Sequence, residues 1–364
     1  MFTAAAAFAG GPPSIEKLLE QGKADFTIAR DTLSLEQSKI QVDGIKQKTR
    51  KKQWFYKSQK KIDDYINKNA VVTDGGRAGD IYASIFRQSD LILLGEAHEP
   101  DDGLKLKMLE LIREYNQKAD AFHYKKITDI FYENPSSVQA VLDGTKRVAA
   151  LLPEAEKEAY CDAETKKHFA GHPLDKQPAM AMMCVLNASG VNVVFPDFNR
   201  YTDCSPETAR YCEDHKQCLL CPTAHISAMD DLGVNLRNAL IFSKMKAAVD
   251  AGGKAVFMGG AAHVGYGDIN QTDSLSDMSV ADLKGKIVYS ILSFKRFAAV
   301  KPVPEKKDCP LCKAESHIFL VSFLPKLGNQ FSKDKFKFVL FVPGNGEDAA
   351  YRSRPADMLV FWPS

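Results

Sequence analysis

The chain predicts an α/β protein built on a mostly parallel sheet flanked by helices, and three observations lead there. Short apolar runs of strand length alternate with longer stretches whose apolar residues recur at helical spacing. Two of the strand-like runs end alike, Leu91-Ile-Leu-Leu-Gly-Glu96-Ala-His98 and Ala255-Val-Phe-Met-Gly-Gly260-Ala-Ala-His263. The composition, 45% hydrophobic and 26% charged over 364 residues, suits an ordinary globular core.

The elements follow in chain order. Residues 1–75 read as a helical leader, partly disordered. Its first eleven residues are small and apolar, without the basic residues that open a signal peptide. Ser14 caps a short helix that Gly22 ends, and Ser34 with Gln37 forms a capping-box signature before a helical stretch to about Asn69. Eight lysines and arginines between Lys46 and Lys61 surround Trp54, Phe55 and Tyr56. Such a run can meet a phosphate backbone or an anionic membrane, but a solvated helix face is the commoner meaning. The turn-rich Val71–Arg77 marks the expected boundary.

A core spanning 76–300 comes next. Ile81–Gln88 suits a short helix and Leu91–Leu94 the first strand. Leu104–Tyr115 carries a helical stripe, and Ile127–Tyr132 is a second strand ending at Glu133. Val138–Leu152 and Met180–Leu186 read as helices, Asn192–Phe195 as a third strand running into Asp197. Leu232–Val249 is a long amphipathic helix carrying Arg237 and Asn238. Ala255–Met258 and Ile287–Leu292 complete five strands. Residues 200–230 break the alternation and read as a Cys-rich insertion. The extension 301–364 holds two apolar runs, Ile318–Phe323 and Phe338–Val342, expected as an edge hairpin.

Composition excludes several classes. The net charge of +2 leaves no strong nucleic-acid signal. No apolar run approaches the roughly 18 residues needed to span a bilayer. Location stays open between the cytoplasm and secretion by a non-cleaved signal. Cys218-Leu-Leu-Cys221 and Cys309-Pro-Leu-Cys312 are two Cys-x-x-Cys knuckles, which together would complete a four-cysteine zinc site. That structural zinc would staple the C-terminal extension to the core. Cys204, Cys212 and His215 offer replacement ligands, and a disulfide pair or unpaired thiols are the competing readings.

The chemistry is expected at strand ends. Carboxyl ends of parallel strands are where open α/β sheets place ligand sites, and Glu96, His98, Glu133, Asp197 and His263 all fall there. A histidine beside a carboxylate is suited to proton transfer near neutral pH. The same groups suit a divalent metal such as zinc or manganese. Arg237 offers a fixed positive charge for a carboxylate or oxyanion. Serine-hydrolase, P-loop and zincin motifs are absent from the sequence.

In these four motifs, Gly-Glu96-Ala-His98, Phe-Tyr-Glu133, Leu-Arg237-Asn238 and Gly-Gly-Ala-Ala-His263, the chain resembles a known superfamily. It contains erythromycin esterases, ChaN-like haem-binding proteins, and the TraB and Tiki families. The resemblance covers about residues 80–295. It implies an α/β core with Glu96, His98, Glu133, Arg237 and His263 as the polar site residues. It also implies a choice of activities: ester hydrolysis with a histidine base, metal-dependent proteolysis, or haem binding. The leading expectation is a hydrolase acting on a small-molecule or peptide substrate, with a divalent metal optional. A haem-binding protein, with His263 or Tyr266 as axial donor, is the second. A bacterial toxin or effector using the leader for docking is the third.

Overall fold

The computed structural model describes residues 66–96, 103–134, 139–168, 178–197, 231–265, 274–295, 331–340 and 356–363. The basic aromatic run, the Cys-rich insertion, the four knuckle cysteines and the run 318–323 lie outside these residues. Residues 66–69, where the leader helix was expected to finish, are helical.

The described strands are β1 (Ala70–Thr73), β2 (Leu91–Glu96), β3 (Asp129–Tyr132), β4 (Asn192–Val194), β5 (Ala255–Gly260), β6 (Val288–Phe294), β7 (Phe336–Leu340) and β8 (Met358–Phe361). The helices are α1 (Gly75–Gln88), α2 (Gly103–Phe122), α3 (Gln139–Ala149), α4 (Glu154–His168), α5 (Pro178–Ala188), α6 (Asp231–Asp250), α7 (Ala261–Val264) and α8 (Leu275–Asp282). The strands form one sheet in the order β1-β7-β8-β6-β2-β5-β3-β4. Neighbours from β8 to β4 are all parallel, and β7 alone runs against its two neighbours. The mostly parallel sheet is therefore as the sequence predicts.

Central strands β2 and β5 are buried along their full length, as expected of strands covered on both faces. Their side chains alternate between two apolar layers. Ile92, Leu94, Val256 and Met258 pack with α1, α2, α3 and α5 on one face. Leu91, Leu93, Ala255 and Phe257 pack with α6, α7 and α8 on the other.

Helix α1 shows how local signals set an element. It begins at Gly75, six residues before the predicted start, because the Asp74 side chain accepts a hydrogen bond from Arg77 N at 2.9 Å. That cap outweighs the poor helix propensity of Gly75 and Gly76. Ala78, Ile81, Tyr82, Ile85 and Phe86 then form one buried stripe. The segment read as a turn-rich boundary is thus strand β1 followed by a capped helix, and β1 joins the same sheet as the core strands.

The tail also differs from expectation. The run around Phe338 is strand β7, held between β1 and β8 and so inside the sheet. Its antiparallel partner in the tail is Met358–Phe361, a segment the sequence reading does not single out. Helices α4 and α8 were likewise not predicted; α4 is mostly polar and exposed, which gives no apolar stripe to read. Cys161 of α4 and Cys184 of α5 form a disulfide, also unforeseen. No described helix is long and apolar enough to cross a membrane.

Candidate active site

The strand order places β5 between β2 and β3, so the two similar segments lie side by side. Their register aligns Leu91 with Ala255, Gly95 with Gly259 and Glu96 with Gly260. In the sequence, the second segment has one more residue between its aligned glycine and its histidine than the first. His98 itself lies outside the described residues, as does Tyr266.

Both aligned glycines are required by what packs on them. A Cβ at Gly95 would meet Leu292 Cδ2 at 2.7 Å and Val264 Cβ at 2.9 Å. A Cβ at Gly259 would meet Glu133 Oε2 at 2.8 Å and Glu133 Cβ at 2.9 Å. The missing side chains let α7 and the Glu133 carboxylate close over the strand ends.

Five polar side chains converge there. Glu133 follows β3, Asp197 follows β4, Arg237 and Asn238 come from α6, and His263 sits on the single turn α7 directly after β5. Arg237 donates from Nε to Asp197 Oδ1 at 2.8 Å and from Nη2 to Asp197 Oδ2 at 2.7 Å. The same Nη2 donates to Glu133 Oε1 at 2.6 Å. Glu133 Oε2 accepts from the backbone N–H of Gly260 at 2.6 Å. His263 places Nε2 at 3.1 Å from Glu133 Oε1, and its Nδ1 contacts Asn238 Oδ1. Arg237 and Asp197 are each 1% exposed, Asn238 0% and His263 3%.

Electrostatics decide how these groups coexist. Burial alone would lower the Arg237 pKa, but Asp197 and Glu133 outweigh it and hold the guanidinium above its ordinary value. Two carboxylates against one guanidinium leave one negative charge. The Asn238 carbonyl oxygen needs a donor, so it keeps a proton on Nδ1 and directs Nε2 at Glu133. The sequence places Asn238 beside Arg237 but assigns it no role. Its signal was there, since Arg237 and Asn238 are adjacent on one helix, but only the fold shows that both face the sheet end.

Glu96 goes elsewhere. Its even position in β2 puts it in the layer of Ile92 and Leu94, on the α2 face, whereas Glu133 and His263 lie on the α6 face. Its Oε1 is 3.3 Å from Lys105 Nζ, and that ammonium sits 5.2 Å from the Tyr132 ring centre. Lys105 had no place in the sequence expectation. Glu96, Lys105, Met108, Met258 and Ser293 line a small depression that also touches Gly95 and Gly259. Glycine backbone therefore lies between the Glu96 depression and the Glu133 carboxylate.

The donor set does not fit a divalent ion at the five-residue cluster. Arg237 already occupies the cation position between Glu133 and Asp197, and both ring nitrogens of His263 are engaged. Among the described residues, no group of three or more His, Cys, Asp or Glu side chains could hold a metal ion.

No protein-family model matches the chain, and no curated protein sequence matches it. Solved structures give distant likenesses. The type III effector HopBA1 is 15% identical, with 65% of this chain and 89% of that one covered, at a TM-score of 0.33. ChaN of Campylobacter jejuni, with cofacially bound haem, is 11% identical, covering 65% and 94%, also at 0.33. A Bacillus cereus protein is 12% identical, covering 97% and 98%, at 0.29. At these scores the likenesses carry no weight about site or substrate.

Proposed function

We propose that the chain is a hydrolase in which Glu133 and His263 activate water at the carboxyl ends of the central strands. The supporting observation is the contact of His263 Nε2 with Glu133 Oε1, held by Asn238 on one side and Arg237 on the other. Water entering between Nε2 and Glu133 would free Nε2 from that contact; with the ring proton kept on Nδ1 by Asn238, Nε2 can then take a proton from water and return it to a leaving group. The hydroxide formed adds to the carbonyl of an ester or amide, the carbonyl–heteroatom bond breaks, and the departing alcohol or amine receives the proton. Arg237 fixes both carboxylates, with two of its three nitrogens committed to them. His98, which follows β2 in the chain, is proposed as a second acid–base group; Glu96, on the other face of the sheet beside Lys105, is proposed to act only from that side.

The test is turnover of a panel of esters, lactones and peptides by the wild type, His263→Ala, Glu133→Gln and His98→Ala. Loss of one acid–base group should lower turnover by about 10²–10⁴-fold while the circular dichroism spectrum is kept. Full activity in the His263 and Glu133 variants on a substrate the wild type turns over would falsify the assignment.

Two smaller proposals stand beside it. Cys218, Cys221, Cys309 and Cys312 are proposed to hold one zinc ion, checked by one equivalent of zinc per chain that Cys309→Ser removes. Haem binding is the alternative to hydrolysis. It needs an axial donor other than His263, whose nitrogens are both engaged, so Tyr266 is the proposed ligand. A haemin titration without a Soret shift removes that alternative.

A further inference from the structure

We propose that the Cys161–Cys184 disulfide is a redox latch that holds helix α4 on helix α5, and that thiol reduction releases α4. The latch does not depend on any hydrolase activity.

The latch rests on an imbalance between the two helices it joins. Helix α5 is apolar almost throughout, with Ala179, Met180, Met182, Met183, Val185 and Leu186 all buried. Helix α4 is the opposite. Of its residues with described side chains, only Cys161 and Thr165 are buried, while Tyr160 is partly covered. Tyr160 packs against the apolar layer, and ion pairs and a hydrogen bond at the rim add to this: Arg113 to Glu158 at 3.2 Å and to Glu154 at 3.9 Å, and Ser189 to Glu154 at 3.4 Å. Exposed ion pairs of this kind contribute little. A polar helix of 15 residues is also marginal alone in water. With few apolar side chains of its own to bury, α4 gains much of its hold on α5 from the covalent bond between Cys161 and Cys184, both fully buried.

The reaction is a thiol–disulfide exchange. A thiolate of glutathione or of a protein dithiol attacks one sulfur, and a second thiol resolves the mixed disulfide. Two electrons and two protons arrive as the Cys161 and Cys184 thiols, and the donor leaves as its own disulfide. Attack requires only a local opening around Cys161 that exposes one sulfur while the bond still tethers α4, which the exposed, polar remainder of the helix allows. Release then uncovers the α5 surface that α4 packs on. In an oxidising compartment the latch stays shut, and in a reducing one it opens.

The experiment uses the full chain, purified under air and then treated with a dithiol reductant at neutral pH. Thiol alkylation with peptide mapping follows residues 161 and 184, and amide hydrogen exchange follows residues 154–168. On reduction, exchange across this segment should accelerate by up to roughly 300-fold, the factor that loop-closure entropy assigns to a link spanning 23 residues. Exchange in β2 and β5 should stay slow. Cys161→Ser in untreated protein should reproduce the fast exchange of α4. The proposal fails if the two cysteines are free thiols after aerobic purification, or if they resist reduction until the whole chain unfolds. It fails equally if both are reduced and α4 keeps its protection, or if the sheet loses protection together with α4.

Discussion

Gly95 and Gly259 face each other across neighbouring parallel strands, and neither has room for a methyl group. The two substitutions should nevertheless differ in kind. Gly95→Ala pushes on Leu292 and Val264, both core side chains, and should cost about 1–3 kcal/mol by overpacking. Gly259→Ala should cost a similar amount and also displace the Glu133 carboxylate. Urea unfolding and substrate turnover separate the effects: Gly95→Ala should lose mainly stability, Gly259→Ala stability and turnover together. Equal turnover in both variants would show that the Gly259 contact does not position Glu133.

Arg237 neutralises two buried carboxylates, so its loss should be severe. Arg237→Met removes the guanidinium that Asp197 and Glu133 share and is expected to cost about 3–5 kcal/mol. Adding Asp197→Leu to that variant should recover part of the loss, since one stranded charge is then removed. Thermal unfolding of the single and double variants reads this directly. A double variant no more stable than Arg237→Met would mean the charge imbalance is not the cause.

Asn238 should be a positioning residue for His263. Asn238→Ala removes the acceptor at Nδ1 and is expected to cost about 1–2 kcal/mol. More tellingly, it should shift the ring-nitrogen NMR resonances of His263 away from the tautomer protonated at Nδ1. Asn238→Asp keeps an acceptor there and should keep that tautomer. Identical His263 resonances in wild type and Asn238→Ala would remove the assigned role.

Lys254 gives the fold a dependence on alkaline pH. Burial lowers its ammonium from 10.5 to about 8, with Lys125 adding to the shift, Asp90 opposing it and Arg87 assisting. Its Nζ donates to the carbonyl of Phe86 and, at 2.9 Å, to that of Arg87 at the end of α1. Below pH 8 both folded and unfolded chains carry this proton, and burying the charge costs about 3 kcal/mol in full. Between pH 8 and 10.5 the unfolded chain binds more protons, so the stability contribution of Lys254 rises with pH. The unfolding free energy of wild type minus that of Lys254→Met should climb from pH 7 to pH 10. A flat difference across that range would contradict the lowered pKa.

Much of the architecture was legible in the sequence because hydrophobic periodicity is a local property. The apolar runs at Leu91, Ile130, Val193, Val256 and Ile291 mark strands wherever they are placed, and a glycine after two of them marks a sheet rim. The polar residues at those rims, Glu133, Asp197 and His263, could be named for the same reason. Weakly patterned segments such as α4 could not, since a helix that buries little leaves no stripe.

Other features were settled only in three dimensions. That β5 lies between β2 and β3, and that β7 pairs with β1 and β8, depends on hydrogen bonds between strands far apart in the chain. The pleat then sends Glu96 to the α2 face and leaves Glu133 with Arg237 and His263 on the α6 face. A one-dimensional pattern says which residues stand at strand ends. Which of them share a face, a proton or a disulfide is decided by how the strands and helices meet.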